Sequence, residues 1–466
     1  MNTRKEKWIA YTIGIIMLME LIDASALNTS LPQMATSFNV SPINLKVAIT
    51  VYLLTLGLFI PTSSWVAEKI GVKKTLLCSV SGFVVASVLC GLSQSLAMLI
   101  VMRAFQGVFG AFTMPVARLA LIRIFKKNLL YAMSIIGAIV TVGPMIGPLL
   151  GGAITTYLNW RFIFFINLPI GLLMLIPIAY LLPVLNDRKT KLKPFDLKGF
   201  FILGTSIVLL MLFLDTLIDP NIRGFIKGIN ISIAIVLILL YLHHARSRRH
   251  KAIIDLQIFK NRMFSYLIIT SIILRLSTMG IMFLFPLYLQ TQQGFTPFGS
   301  GLTFLAFIIP AWLIKRFVKS ILNRISFYTF YLIITLGMML CYLVCAWLFS
   351  DFYLLPYLLI QSILGLLFGS YTMISNAAIY TRVTDEQTGE ASVIMSTVIQ
   401  LSGAFAVAWV AVLLGFVSGI KDMSHNTAIP AHAFSVVTLV CAIGMLMAFI
   451  SLFRAPKREL ASLNLN

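Results

Sequence analysis

An all-α membrane protein of fourteen spanning helices, arranged as six, two and six, is the fold class the sequence predicts. Three observations carry it. Hydrophobic residues fill 59% of the 466 positions and charged residues 11%, against roughly half apolar and a quarter charged in a soluble domain. The apolar residues gather in segments of about 20, enough to cross ~30 Å of hydrocarbon as helix. The 36 Lys and Arg are sorted by side: twenty-eight fall in alternate loops and at the termini, and five in the intervening loops. Loops on the cytoplasmic side carry the excess of Lys and Arg, so both termini are expected in the cytoplasm. The net charge of +21 then reads as topology and not as nucleic-acid binding.

The first six spans lie at roughly 8–31, 44–66, 75–93, 97–122, 131–156 and 161–183. Span one contains "IIMLMELIDASALNTSLP" (15–32). Glu20 falls near the bilayer centre and Asp23 about 5 Å further out at 1.5 Å per residue. At i, i+3 they share a helix face. A charge at mid-span costs roughly 2.5–3.5 kcal/mol, which makes both acids functional candidates. The same acids, and the thirteen further spans, argue that "ASA" (24–26) is not a signal-peptide cleavage site. After span two, "SWVAEKIGVKK" (64–74) sets Glu68 and Lys69 before Gly71, Lys73 and Lys74; a carboxylate at a helix end facing cations can open and close as a gate. Span four carries "VMRAFQGVFGAF" (101–112), with Arg103, Gln106 and Gly107. Arg103 lies about 10 Å above the centre by the same rise, within reach of the acid pair. Span five carries "GPMIGPLLGG" (143–152). There Gly143, Gly147 and Gly151 recur every four residues beside Gly152, leaving one face bare for close helix packing. Pro144 and Pro148 each remove a backbone hydrogen bond and favour a bend.

"LNDRKTKLKPFDLKG" (185–199) leads to spans at roughly 199–217 and 225–243, where Asp215 reads as interfacial. "HHARSRRHKAIIDLQIFKNR" (243–262) leads to the last six, at roughly 263–288, 297–314, 328–349, 353–378, 391–417 and 430–452. Arg275 is the only charge within the spans of this second group, and Asn376 and Gln400 are polar cavity candidates, although amides also join helices. The five cysteines fall within spans without CxxC or Cys/His spacing; they read as small buried hydrophobes, and no metal is expected. The predicted domains are a six-helix bundle over 1–184, linkers with two inserted helices over 185–262, and a second six-helix bundle over 263–466. Two six-span halves suggest the repeat architecture of secondary transporters, with substrate held near the midplane.

Four of these stretches resemble the major facilitator superfamily, specifically its fourteen-span drug:proton antiporter branch. In "LIDASALNTSLP" Asp23, Asn28, Leu31 and Pro32 match that branch's first-helix signature. "SWVAEKIGVKK" is similar to the superfamily's signature loop, with Ser64 in place of a Gly and Val72 in place of an Arg. "VMRAFQGVFGAF" resembles its R-x-x-Q-G pattern, and "GPMIGPLLGG" resembles the motif that marks antiporters. "NWRFIFFINLPIG" (159–171), "FPLYLQTQQGFTPFGSGL" (285–302) and "TDEQTGEASVIMSTVIQLSGA" (384–404) extend the similarity along the chain. The resemblance implies the major facilitator fold and proton-coupled export of small amphipathic compounds or drugs from the bacterial cytoplasmic (inner) membrane, without cofactor or enzymatic activity. Taken with the polar residues inside the spans, proton coupling is expected at Asp23, Glu20 and Arg103, and a substrate cavity drawing on Asn28, Gln106, Arg275, Asn376 and Gln400. The gate would be Glu68, Gly71, Lys73 and Lys74. Partners would be the substrate, protons and membrane lipid, with periplasmic adaptor proteins also admitted.

In physical terms, burial and a neighbouring acid favour protonation of a carboxylate, whereas a nearby Arg opposes it. The expected division gives the proton to Asp23 and substrate contact to Glu20. Rival readings stay open: export of an organic anion through Arg103 and Arg275, uptake, or a receptor or scaffold that moves nothing. An intramembrane two-Asp protease is disfavoured because both acids share one helix, and a Walker-type phosphate loop is absent.

Overall fold

The computed structural model describes residues 3–41, 44–125, 129–183, 194–217, 222–248, 252–348, 352–380, 388–419 and 430–453. Regular structure among them is helical, as expected where hydrocarbon leaves a backbone no partner but itself. In chain order the long helices are α1 (Thr3–Ala26), α2 (Lys46–Phe59), α3 (Val72–Gly91), α4 (Leu96–Ile124), α5 (Leu129–Tyr157), α6 (Asn167–Leu181) and α7 (Leu197–Thr216). They continue as α8 (Gly224–Arg248), α9 (Arg262–Thr291), α10 (Pro297–Leu313), α11 (Phe327–Leu348), α12 (Leu354–Tyr380), α13 (Thr388–Ser418) and α14 (Ala431–Phe453). Thirteen helical segments among the described residues are long and apolar enough to cross a membrane. The remaining long helix, α5, has 29 residues and contains the glycine repeat.

Local chemistry sets where these helices begin and end. The Ser95 hydroxyl accepts from the Met98 amide at the start of α4, and Asn261 Oδ1 accepts from Met263 and Phe264 at the start of α9. Both satisfy amides that a first helical turn leaves without partners. Span one does not run unbroken to residue 31. The α-helix ends at Ala26, a 3-10 turn covers Leu27–Thr29, and a new helix opens at Leu31. Pro32, which lacks the amide that would bond back to Asn28, accounts for the break. The segment Ser63–Ile70 that follows α2 stops at Gly71, whose φ of +90° suits a residue without Cβ. Lys46 is the buried first residue of α2.

The chain forms two compact units: Met1–Leu197 with Thr296–Gly301, and Lys198–Phe295 with Leu302–Asn466. In the first, α1 packs on α5, α4 and α6, while α4 also packs on α2 and α3. In the second, α9 packs on α12, α13 and α14, and α11 packs on α12 and α14. The two helices read as an insertion are the least covered. Only 17% of the apolar window of α7 and 11% of that of α8 is buried, against 67% for α1. Their surfaces expose Phe201, Phe225, Leu239 and Leu240, side chains suited to lipid.

Candidate functional site: a buried acid pair on α1

The approach of α1 to α4 is prepared by residues without side chains. A Cβ on Gly143 would stand 2.7 Å from Leu21 Cβ, and one on Gly147 would run into the Ser25 side chain. One on Gly151 would meet the Ala26 backbone, 2.8 Å from its carbonyl carbon. Glycines on α5 therefore let it lie directly on the face of α1 carrying residues 21 and 25. At 100° per residue, Asp23 points roughly the opposite way, toward α4. Polar contacts secure the end of α1: Thr29 donates to the Pro148 carbonyl, Gln33 donates to the Thr155 carbonyl, and Ser30 bonds Thr155 at 2.6 Å. A second close approach lies between α4 and α2, where a Cβ on Gly107 would strike Thr55 and come within 2.6 Å of the Tyr52 carbonyl. That brings the Tyr52 ring to 4.1 Å from the Arg103 guanidinium.

Asp23 sits in a complete cage. Arg103 Nη1 donates to Asp23 Oδ2 at 2.7 Å in a buried ion pair. Gln106 Nε2 and Asn167 Nδ2 donate to Asp23 Oδ1 at 3.0 and 2.8 Å. Arg103 Nη1 also donates to Gln106 Oε1 at 2.7 Å, and its Nε to the Ala48 carbonyl at 3.3 Å. Asn167 donates in addition to Ser87 Oγ, which itself donates to the Phe164 carbonyl. A charge pair in a low-dielectric interior is tolerable when its remaining lone pairs and protons are satisfied in this way.

Glu20 is treated differently. It is 3% exposed, and its Oε2 has no hydrogen-bond partner among the described residues. The charges whose field reaches it are Asp23 and Arg118, and Tyr52, whose buried hydroxyl is likewise unpartnered, lies in the field of both acids. Arg118 is exposed on α4, about 22 Å along the helix from Arg103. Asp23 is thus matched by one arginine, while Glu20 sits toward the other without an ion pair.

The other sequence candidates are placed as follows. Gln106 is fully buried and spent on Asp23 and Arg103. Asn28 is half-buried in the 3-10 turn after α1. Glu68 is exposed, Lys73 half-buried and Lys74 exposed around Gly71; Lys69 lies 4.7 Å from the Trp65 ring. Gly152 lies against the Pro297 backbone, and Pro148 is buried on α5. Pro144 lies within α5 and Asn376 within α12, their side chains outside the described residues. Gln400 is half-buried on α13, and Arg275 is buried on α9. Sequence reasoning missed Asn167, Tyr52 and Ser87. The one signal for Asn167 is an amide interrupting the apolar run "FFINLPIG".

Comparison with known proteins agrees with this architecture. The family model of the Major Facilitator Superfamily matches residues 13–407. The chain is 31% identical over 418 residues to the multidrug resistance protein MdtD of Escherichia coli O127:H6 (strain E2348/69 / EPEC), covering 89% of this chain and 87% of that protein. It is also 31% identical over 458 residues to MdtD of Enterobacter sp. (strain 638), covering 98% and 95%. Among solved structures it resembles the nucleoside transporter NupG, with TM-score 0.66 and 11% identity over 98% of this chain and 100% of that one. It resembles the peptide transporter POT in complex with sulfate at TM-score 0.71 and 13% identity, over 97% and 95%. At those identities the structural likeness speaks for the fold.

Proposed function

Because the chain belongs to the major facilitator superfamily of transporters, we propose that it is a proton-coupled antiporter exporting small amphipathic compounds, drugs among them, across the bacterial inner membrane. The similarity to multidrug resistance proteins over 89–98% of the chain supports the substrate class. The observation that carries the coupling is the contrast between the two acids on α1. The Asp23 charge is already matched by Arg103. Glu20 is buried with an oxygen that nothing satisfies, and an ionised carboxylate stranded in this way costs several kcal/mol. Either a proton or the cationic group of a substrate relieves that cost, and the two exclude one another at one carboxylate. Mutually exclusive binding, combined with a cavity that opens to alternate sides, is antiport.

This division of labour reverses the one expected from sequence. Glu20 exchanges proton for substrate, whereas Asp23, Arg103, Gln106 and Asn167 hold α1 in register against α4 and α6 and set the field Glu20 feels. Gln106 then acts as a positioning residue, leaving Asn28, Asn376, Gln400 and Arg275 as cavity candidates. The turn at Gly71, flanked by Glu68, Lys73 and Lys74, serves as the cytoplasmic gate. Leu129–Tyr157 supplies the fourteenth span, and six helices on either side of the inserted α7 and α8 form the two halves. The test is reconstitution into liposomes with an imposed pH gradient. Cationic dye should accumulate against its own gradient, and collapsing the pH gradient should abolish that accumulation. Dye movement indifferent to the gradient would overturn the antiport.

A further inference from the structure

The second compact unit contains a buried cation that no described residue neutralises. Arg275, midway along α9, is 5% exposed; no ion pair reaches it among the described residues, and its Nε has no hydrogen-bond partner. An unmatched guanidinium in such a place is expensive unless an anion joins it. Two more orphaned groups converge on the same point. Ser271, one turn before Arg275, bonds Ser375 of α12 at 3.1 Å. Helices that cross in opposite directions at that register bring Arg275 level with Tyr371, one turn before Ser375. Tyr331 of α11 packs edge to face on Tyr371 with ring centroids 6.0 Å apart, and both phenols interact electrostatically with Arg275. Tyr331 and Tyr371 are 1% and 0% exposed, and among the described residues neither hydroxyl makes a hydrogen bond of ordinary geometry, although the Thr270 and Ser375 hydroxyls lie near that of Tyr331.

The chemistry that satisfies all three groups is narrow. A guanidinium only donates, and each phenol can donate its O–H. A single acceptor bearing negative charge would take the Arg275 Nε–H and both phenol protons while cancelling the buried charge. A cation would be repelled, and a neutral amide would leave the charge unmatched. We infer that Arg275, Tyr331 and Tyr371 form a binding site for the carboxylate or sulfonate group of a transported organic compound. The inference rests on the export reading for what the ligand is, and widens the substrate class from cations to compounds bearing an acidic group. The three groups lie one on each of α9, α11 and α12, which gives the site orientation as well as charge.

The test uses the purified full-length chain in detergent, with thermal stabilisation and equilibrium binding as readouts. The probes are benzoate, p-toluenesulfonate, their neutral counterpart benzamide, and chloride. Benzoate or p-toluenesulfonate should bind at least tenfold more tightly than benzamide. Arg275→Gln should weaken that binding tenfold or more, and Tyr371→Phe, which deletes one oxygen, several-fold. Arg275→Lys should restore part of it, and keeps the test valid if the Gln variant does not fold. Gly204→Leu, placed where nothing lies within 4 Å of a new Cβ, should bind benzoate as the parent does; binding in detergent needs no pH gradient, so failure of proton coupling would leave this result standing. Equal binding of benzoate and benzamide would overturn the inference, as would undiminished benzoate binding in Arg275→Gln. Saturation by chloride alone, with no added effect of benzoate, would also overturn it by making the site one for an inorganic ion.

Discussion

Asp23 and Arg103 illustrate how a charge pair can be afforded inside a membrane helix bundle. Neither residue is stable there alone, and each needs every hydrogen bond it makes. Asn167→Ala removes a 2.8 Å donor to Asp23 and another to Ser87. It should cost about 1–3 kcal/mol, the penalty for a buried acceptor left short of a partner. Arg103→Ala strands Asp23 and should cost about 3–5 kcal/mol. Arg103→Lys keeps the charge but loses the fork that reaches Asp23, Gln106 and Ala48 together, so it should fall between the parent and Arg103→Ala. Thermal unfolding of the purified variants gives the order; a stable Arg103→Ala would mean the cage is incidental.

At the scale of helices, the close contact of α5 with α1 is the feature most exposed to mutation. Gly147→Leu forces a side chain into Ser25, and Gly151→Leu into the Ala26 backbone. Overpacking of this kind typically costs about 1–3 kcal/mol, enough to shift α1 and misplace both acids. Transport should be lost while membrane insertion persists. Gly204 on α7 has nothing within 4 Å of where a Cβ would stand, so Gly204→Leu should transport normally. Equal activity in the Gly147 and Gly204 variants would remove any role for the glycine face.

The same elements show what the sequence discloses and what it withholds. Charges inside apolar segments are conspicuous, so Glu20, Asp23, Arg103 and Arg275 stand out from the sequence, as do helices with a four-residue glycine period. Which acid is satisfied is not visible there, because Asp23 owes its partners to α4 and α6, 80 and 144 residues away. Asn167 resembles any other amide in an apolar run until packing brings it to Asp23. The break after Ala26 depends on Pro32 and on hydroxyls whose partners lie on α5, so hydropathy alone draws span one too long.

At the scale of the whole molecule, the charge asymmetry predicts that the loop between the first six spans and the inserted pair faces the cytoplasm. A Thr190→Cys variant, its native cysteines replaced, should resist an impermeant thiol reagent applied to intact cells and react once the membrane is opened. Labelling in intact cells would invert the orientation. The helices α7 and α8 are poorly covered, with 17% and 11% of their apolar windows buried, so apolar substitutions on their exposed faces should leave transport unchanged.

In the proposed antiport, Glu20 takes up a proton that substrate displaces, in a field set by the Asp23 cage. Its most direct test is proton release on adding a cationic substrate to purified protein in weakly buffered detergent, comparing the parent chain with Glu20→Gln and Asp23→Asn. A stoichiometric burst of protons is expected from the parent and none from Glu20→Gln. Asp23→Asn, which removes the neighbouring acid whose field reaches Glu20, should release fewer protons. Proton release from Glu20→Gln equal to that of the parent would contradict the claim.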